Sequence, residues 1–169
     1  QHIVNFFKSK NRKVSYDTLS NYLGYIEEAF LAYKTERYNI KGKDVVAGNC
    51  KYYLNDLSFK NFLYPGFAYG VGYLLENAVY LELRRLGYIV YTGSFRDKEV
   101  DFVAMKDDRV IYLQATYMLE TAQTMEREYA PLLTIGDNYE KYVVSMDEVQ
   151  FPSNEGVRHI QAWNLKEIL

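Results

Sequence analysis

Glu99-Val100-Asp101-Phe102-Val103-Ala104 and Val110-Ile111-Tyr112-Leu113-Gln114-Ala115-Thr116 are two apolar runs. The charged spacer Met105-Lys106-Asp107-Asp108-Arg109 separates them. Their content of valine, isoleucine, tyrosine and phenylalanine is that of strands, and a short polar spacer between two such runs predicts a β-hairpin. The first run carries the ionisable Asp101 near its start, and the second ends on polar residues. Strand alternation puts Gln114 and Thr116 on one face and Ala115 on the other. Pairing as an ordinary hairpin brings Asp101 close to that polar face.

The neighbouring segments supply helices and more strands. Upstream, Tyr73 to Leu86 is a helix whose core face carries Leu75, Val79 and Leu86, with Ala78 and Leu83 beside them. Arg84 and Arg85 lie in its last turn, where the dipole favours them, and Gly87 caps its C-terminus. Glu76 lies near its start. Tyr88 to Thr92 is a strand, and Gly93 to Lys98 reads as a turn. Downstream, Met118 to about Leu133 is mostly helical, with Thr121 as a cap and Pro131 expected to bend or break it late. Strands follow at Lys141 to Met146 and Val157 to Ala162, and Asn164 to Leu169 is a terminal helical turn. The order helix, three strands, helix, strand predicts an α/β fold: a mixed sheet with flanking helices.

The first third has a different order. His2 to Lys8 ends a helix. Ser15 caps a second helix that runs to Leu31, with Tyr16, Leu19, Leu23, Ile26 and Phe30 along one face. Strands at Leu31 to Ile40 and Val45 to Leu54 flank the turn Lys41-Gly42-Lys43-Asp44. Two helices and a hairpin suggest a winged-helix-like segment over residues 1–65, with Pro65-Gly66 marking the boundary to a second domain over 66–169. In such segments the last helix and the wing touch DNA. Lys10, Arg12 and Lys13 before the helix, and Lys41 and Lys43 at the wing tip, are the candidate nucleic-acid contacts. The helix itself carries Glu27 and Glu28 and no basic residue.

Composition narrows the function classes. The 169 residues are 49% hydrophobic and 25% charged, enough for a real core, and the net charge of −2 gives no global drive toward nucleic acid. No apolar run is long enough for a transmembrane helix. A single cysteine, Cys50, makes a reduced, cytoplasmic setting the default, and a structural thiol is its simplest role. His2 and His159, the only histidines, lack metal-ligand spacing. The chain opens on a helical run without an initiator methionine, which suggests a piece of something longer.

Glu76 on a helix, Asp101 on one strand and Gln114-Ala115-Thr116 on the next fall in the αβββαβ order of the PD-(D/E)XK nuclease fold. Leu75-Glu76-Asn77-Ala78-Val79 and Glu99-Val100-Asp101-Phe102 are more specific. They resemble the C-terminal domain of unknown function that follows the ATPase module in many prokaryotic AAA-type ATPases. Val14 to Leu19, Leu31-Ala32-Tyr33 and Lys51 to Asp56 resemble that family's winged-helix-like lead-in. The resemblance covers nearly the whole chain. It implies a missing N-terminal module that binds ATP; no G-x-x-x-x-G-K-[ST] occurs here.

The resemblance also assigns roles. Nuclease chemistry needs oxygen ligands for Mg²⁺ and a cation beside the attacked phosphate. Asp101 and Glu76 match the metal-binding carboxylates. Gln114 stands where Asp or Glu is expected, and Thr116 where lysine is expected, so two charges are lost together. Lys98 or Arg96 from the preceding turn would be the substitute cation, and Glu99 an added carboxylate. The expected product is a vestigial nuclease site in the accessory region of an ATPase, used to bind a partner protein or nucleic acid. An active metal-dependent nuclease and a structural or oligomerisation domain are the alternatives.

Overall fold

The computed structural model describes residues 2–63, 65–66 and 70–169. Two short helices come first, α1 (His2–Ser9) and α2 (Tyr16–Glu28). Ser15 Oγ accepts the Thr18 amide at 3.0 Å, so the predicted cap starts α2. Strands β1 (Ala32–Asn39) and β2 (Asp44–Leu54) form a hairpin, and the short helix α3 (Ser58–Leu63) lies in the stretch expected to be a plain connector. Then come α4 (Val71–Arg85), β3 (Ile89–Phe95), β4 (Lys98–Lys106), β5 (Arg109–Ala115), α5 (Ala122–Leu133), β6 (Glu140–Ser145), β7 (Val157–Gln161) and a 3-10 turn (Ala162–Glu167). Among the described residues no helix is long and apolar enough to cross a membrane.

All the named strands lie in one mixed sheet of order β2-β1-β3-β4-β5-β6-β7. The predicted hairpin is β4–β5, antiparallel, with Phe102 opposite Leu113 and Lys106 opposite Arg109. β6 and β7 add in parallel beyond β5. At the other side β1 runs parallel to β3, with Arg37 to Asn39 opposite Thr92 to Ser94. The hairpin read as a wing is therefore the edge of the same sheet, and the sheet is continuous across the position of Pro65-Gly66.

Helices cover both faces. On one, Leu75, Val79, Tyr80 and Leu83 of α4 pack with Phe102, Leu113 and Tyr142. On the other, Tyr129 and Leu132 of α5 pack with Val100, Val103, Tyr112 and Val143. Being covered twice is why β4 reads as an almost unbroken apolar run. Tyr53 of β2 joins the α4 side, stacked on Tyr80 with ring centroids 4.2 Å apart.

Three local expectations are corrected. Gly93 is not a turn; β3 runs through it to Phe95. A Cβ on Gly93 would lie 2.9 Å from Val103 Cγ2 and 3.0 Å from Val100 Cβ, so glycine is there to let two strands approach closely. The helix expected from Met118 starts at Ala122, where Thr121 Oγ1 accepts the Thr124 amide at 3.1 Å. Pro131 does not break α5, which ends two residues later at Leu133 in any case.

Candidate functional site

Four elements, α4, β4, β2 and, through Arg37, β1, converge on a part-buried group of charges. α4 contributes Glu76 and β4 contributes Glu99 and Asp101. The pairing of β3 with β4 steps from Tyr91–Val103 to Gly93–Val100, leaving one extra residue on β4 at Asp101-Phe102. Such a bulge re-aims side chains, and it interrupts strict alternation: Val100 and Phe102 pack on opposite faces of the sheet. β2 contributes Lys51 and Tyr53, two residues apart and on one face.

Lys51 is the centre of this group. Its Nζ lies 2.9 Å from Glu76 Oε1, 2.9 Å from Glu99 Oε1 and 3.7 Å from Asp101 Oδ1. Tyr53 donates to Glu76 Oε1 at 2.7 Å, and Arg37 donates to Glu99 Oε2 at 2.6 Å. Asn77 locks β2 onto α4 next to Glu76. Its Oδ1 accepts the Leu54 amide at 2.8 Å and its Nδ2 donates to the Leu54 carbonyl at 2.9 Å. That side chain fills the role of a neighbouring strand at the sheet edge. A groove of ≈ 650 Å³ between β2, the start of α3 and α4 opens onto Lys51 and Glu76, with Leu54, Leu57, Tyr73 and Leu74 along its walls.

Gln114 serves the backbone. The ladder between β4 and β5 ends at Phe102–Leu113, and beyond it side chains replace main-chain partners. Gln114 Oε1 accepts the Asp101 amide at 3.3 Å, and Asp101 Oδ2 accepts the Ala115 amide at 3.0 Å. Gln114 Nε2 donates to Glu128 Oε2 of α5 at 3.2 Å. Thr116 is buried and its amide donates to the Val144 carbonyl at 3.0 Å, continuing the edge of β5 toward β6. The substitute cations expected from the turn are elsewhere. Lys98 Nζ reaches the Ala130 carbonyl at 3.5 Å, and Arg96 stacks on Phe95.

Electrostatics follow from burial and from Lys51. Burial first, and then Glu76, push the Asp101 carboxyl up to about 7, against the pull of Lys51 and the Ala115 amide. Burial acts to lower Lys51, but Asp101, Glu76 and Glu99 outweigh it and raise it above the ordinary lysine range. Burial acts to raise Glu99, and Lys51 and Arg37 hold it below the usual carboxylate range. Burial and Glu76 push the Tyr53 hydroxyl up, so it stays a donor. Lys51 is thus a permanent ammonium, unsuited to act as an amine nucleophile or base. Among the described residues no group of three or more His, Cys, Asp or Glu side chains is arranged to hold a metal ion. Glu76 and Asp101 come together as predicted, but with Lys51 between them they do not fit the Mg²⁺ that the resemblance implies.

The candidate nucleic-acid contacts lie apart from this cluster on exposed turns. Lys10, Arg12 and Lys13 are between α1 and α2, and Lys41 and Lys43 are between β1 and β2. The Ile40 amide donates to the Ser94 carbonyl at 2.9 Å, which sets Lys41 and Lys43 beside the turn that carries Arg96. Cys50 is a half-buried free thiol. The side chain of His2 lies outside the described residues.

A second buried polar group has no sequence signal. Ser145 Oγ lies 2.8 Å from His159 Nε2 and donates to Asp147 Oδ2 at 2.7 Å. The Phe151 amide donates to His159 Nδ1 at 3.2 Å, so the ring proton sits on Nε2 and points at the serine. A nucleophilic serine needs the reverse, an Nε2 that accepts its proton. These residues tie β6 to β7 and are not a catalytic triad.

No family model matches the chain, and no solved structure matches it. Two curated proteins are similar to it. One is an uncharacterised protein of Haemophilus influenzae, 36% identical over 143 residues that cover 85% of this chain and 35% of that protein. The other is the uncharacterised protein MJ1544 of Methanocaldococcus jannaschii, 32% identical over 130 residues that cover 75% of this chain and 28% of that protein. The chain therefore spans about a third of the length of the curated relatives it matches.

Proposed function

We propose that the chain is the C-terminal accessory region of a AAA-type ATPase, built on a PD-(D/E)XK-like domain that binds a partner and does not cut one. One observation carries the loss of cutting. The helix and strand carboxylates Glu76 and Asp101 are engaged by the ammonium of Lys51, while Gln114 and Thr116 stand at the two remaining positions. The α1–α2 pair followed by the β1–β2 hairpin has the element order of a winged-helix-like lead-in whose hairpin extends the sheet. The length of the two relatives leaves room for an ATPase module. For the partner, nucleic acid is the first class to test, because Lys10, Arg12, Lys13, Lys41 and Lys43 present cations on exposed turns.

The alternative of an active nuclease has one observation in its favour, a lysine beside Asp101 where Thr116 supplies none. A single assay separates the readings. Labelled single- and double-stranded DNA and RNA are incubated with Mg²⁺ or Mn²⁺, beside an Asp101→Ala control, and the same tubes are run as a mobility shift. The proposal predicts no cleavage and a salt-sensitive shift, weakened about tenfold or more when Lys10, Arg12 and Lys43 are reversed to Glu together. Cleavage that disappears in the control refutes it. Neither cleavage nor shift refutes the nucleic-acid partner and leaves a protein partner or an assembly role.

A further inference from the structure

The nuclease resemblance implies a divalent cation between Glu76 and Asp101, whereas the side chains surround a different cation. Oxygens of Glu76, Glu99 and Asp101 converge on Lys51 Nζ at 2.9, 2.9 and 3.7 Å. Each carboxylate is held by a further group of its own: the Tyr53 hydroxyl for Glu76, Arg37 for Glu99 and the Ala115 amide for Asp101. Carboxylates turned to one point and braced by outer partners are also found around metal ions, but as they stand these three do not form a group that could hold one. Here that point is a primary ammonium, carried on a strand that Asn77 fastens in place.

We propose that Lys51 is a tethered counter-ion that stands in for the divalent cation and closes the cluster to Mg²⁺, and that its removal converts the cluster into a divalent-cation site. This rests on the nuclease-like reading of the domain. Charge supports it. The three carboxylates face two cations, Lys51 and Arg37, so removing the lysine leaves an excess of acid groups that a divalent cation can offset. Size sets the preference. The oxygens nearest Lys51 are 2.9 Å away. Ca²⁺ takes oxygens at about 2.3–2.6 Å in flexible geometry, while Mg²⁺ demands about 2.0–2.1 Å and an octahedron. The opened cage contracts less for Ca²⁺ and so prefers it.

The test uses the whole chain as wild type, Lys51→Met and the double variant Lys51→Met/Asp101→Asn, titrated calorimetrically with Ca²⁺ and with Mg²⁺. Wild type is expected to take up neither. Lys51→Met is expected to bind Ca²⁺ at least about tenfold more tightly than wild type and to melt higher in its presence, and the double variant to lose both effects. If Lys51→Met is unfolded alone, Ca²⁺ is expected to restore its fold, because an ion that binds only the native state stabilises it; failure to restore it overturns the inference. A folded Lys51→Met that binds no Ca²⁺ also overturns the inference, while the non-cutting reading stands. Wild type that binds as tightly as the variant overturns the inference and removes the observation on which the non-cutting reading rests.

Discussion

Replacing Gln114 by Glu restores the acid that the nuclease pattern expects, without changing side-chain size. In this molecule it removes the bond from Nε2 to Glu128 Oε2 at 3.2 Å and puts two carboxylates at that separation. A hydrogen bond to a charged group contributes about 1.5–3 kcal/mol. Two like charges at that distance repel by about 5 kcal/mol at an effective dielectric of 20. Arg127 offsets part of this through Glu128 Oε1, but its own side chain is 71% exposed and well screened. The new carboxyl relieves the rest by holding its proton. A rise of about two units over an ordinary glutamate costs about 2.7 kcal/mol where the unfolded chain is ionised. The expected loss at pH 8 is therefore about 3 kcal/mol, read as a fall of about 1–2 M in the urea midpoint. The sign is definite. A carboxyl whose folded value is raised keeps its proton in the native state, so the loss grows as pH rises through the window above about 4.3. At pH 5 the protonated carboxyl donates to Glu128 as the amide does, and most of the stability returns. A variant as stable as wild type at pH 8, or one whose loss is the same at pH 5 and pH 8, refutes this account of Gln114.

Two further outcomes follow from the packing. Gly93→Ala drives a methyl to 2.9 Å from Val103 Cγ2 and 3.1 Å from Ile40 Cδ1. It should cost about 1–3 kcal/mol, the usual penalty for overpacking, and an unchanged denaturation midpoint contradicts the close approach. Burial lowers the His159 ring below its ordinary value, and Asp147 only partly opposes this. The unfolded chain then takes up the proton first, so stability is complete above about 6.5 and declines as pH falls from there toward the folded value. Ring resonances of His159 followed by NMR should show a titration midpoint below about 6.5, with the proton of the neutral ring on Nε2, and a midpoint at or above that pH contradicts the buried network.

The β4–β5 hairpin was legible because both runs are rich in β-branched and aromatic residues and are separated by a charged turn. α4 was legible from its apolar spacing and from Gly87, which sits at φ 88° just past the helix end. Glu76 and Asp101 were found because they lie in distinctive local sequence. Lys51 was not, because it belongs to a strand formed well before either partner in the chain and meets them only when β1 joins β3. A faint signal was present. Lys51 and Tyr53 alternate on one face of a strand, and a lysine facing the same way as a buried tyrosine needs a counter-charge. Gly93 misled because glycine in a polar setting reads as a turn, whereas its role is to admit Val100 and Val103 from the neighbouring strand. The Ser145–Asp147–His159 network has no periodic or motif signature at all; it exists only through the parallel pairing of β6 with β7.

The most direct measurement is a crystal structure of the wild-type chain grown or soaked with Mn²⁺, read by anomalous scattering at the manganese edge. The account predicts no manganese peak between Glu76 and Asp101, with Lys51 Nζ still held by Glu76 and Glu99 at hydrogen-bonding distance, as at 2.9 Å here. A manganese peak bound by Glu76 and Asp101, with Lys51 swung aside, would contradict it.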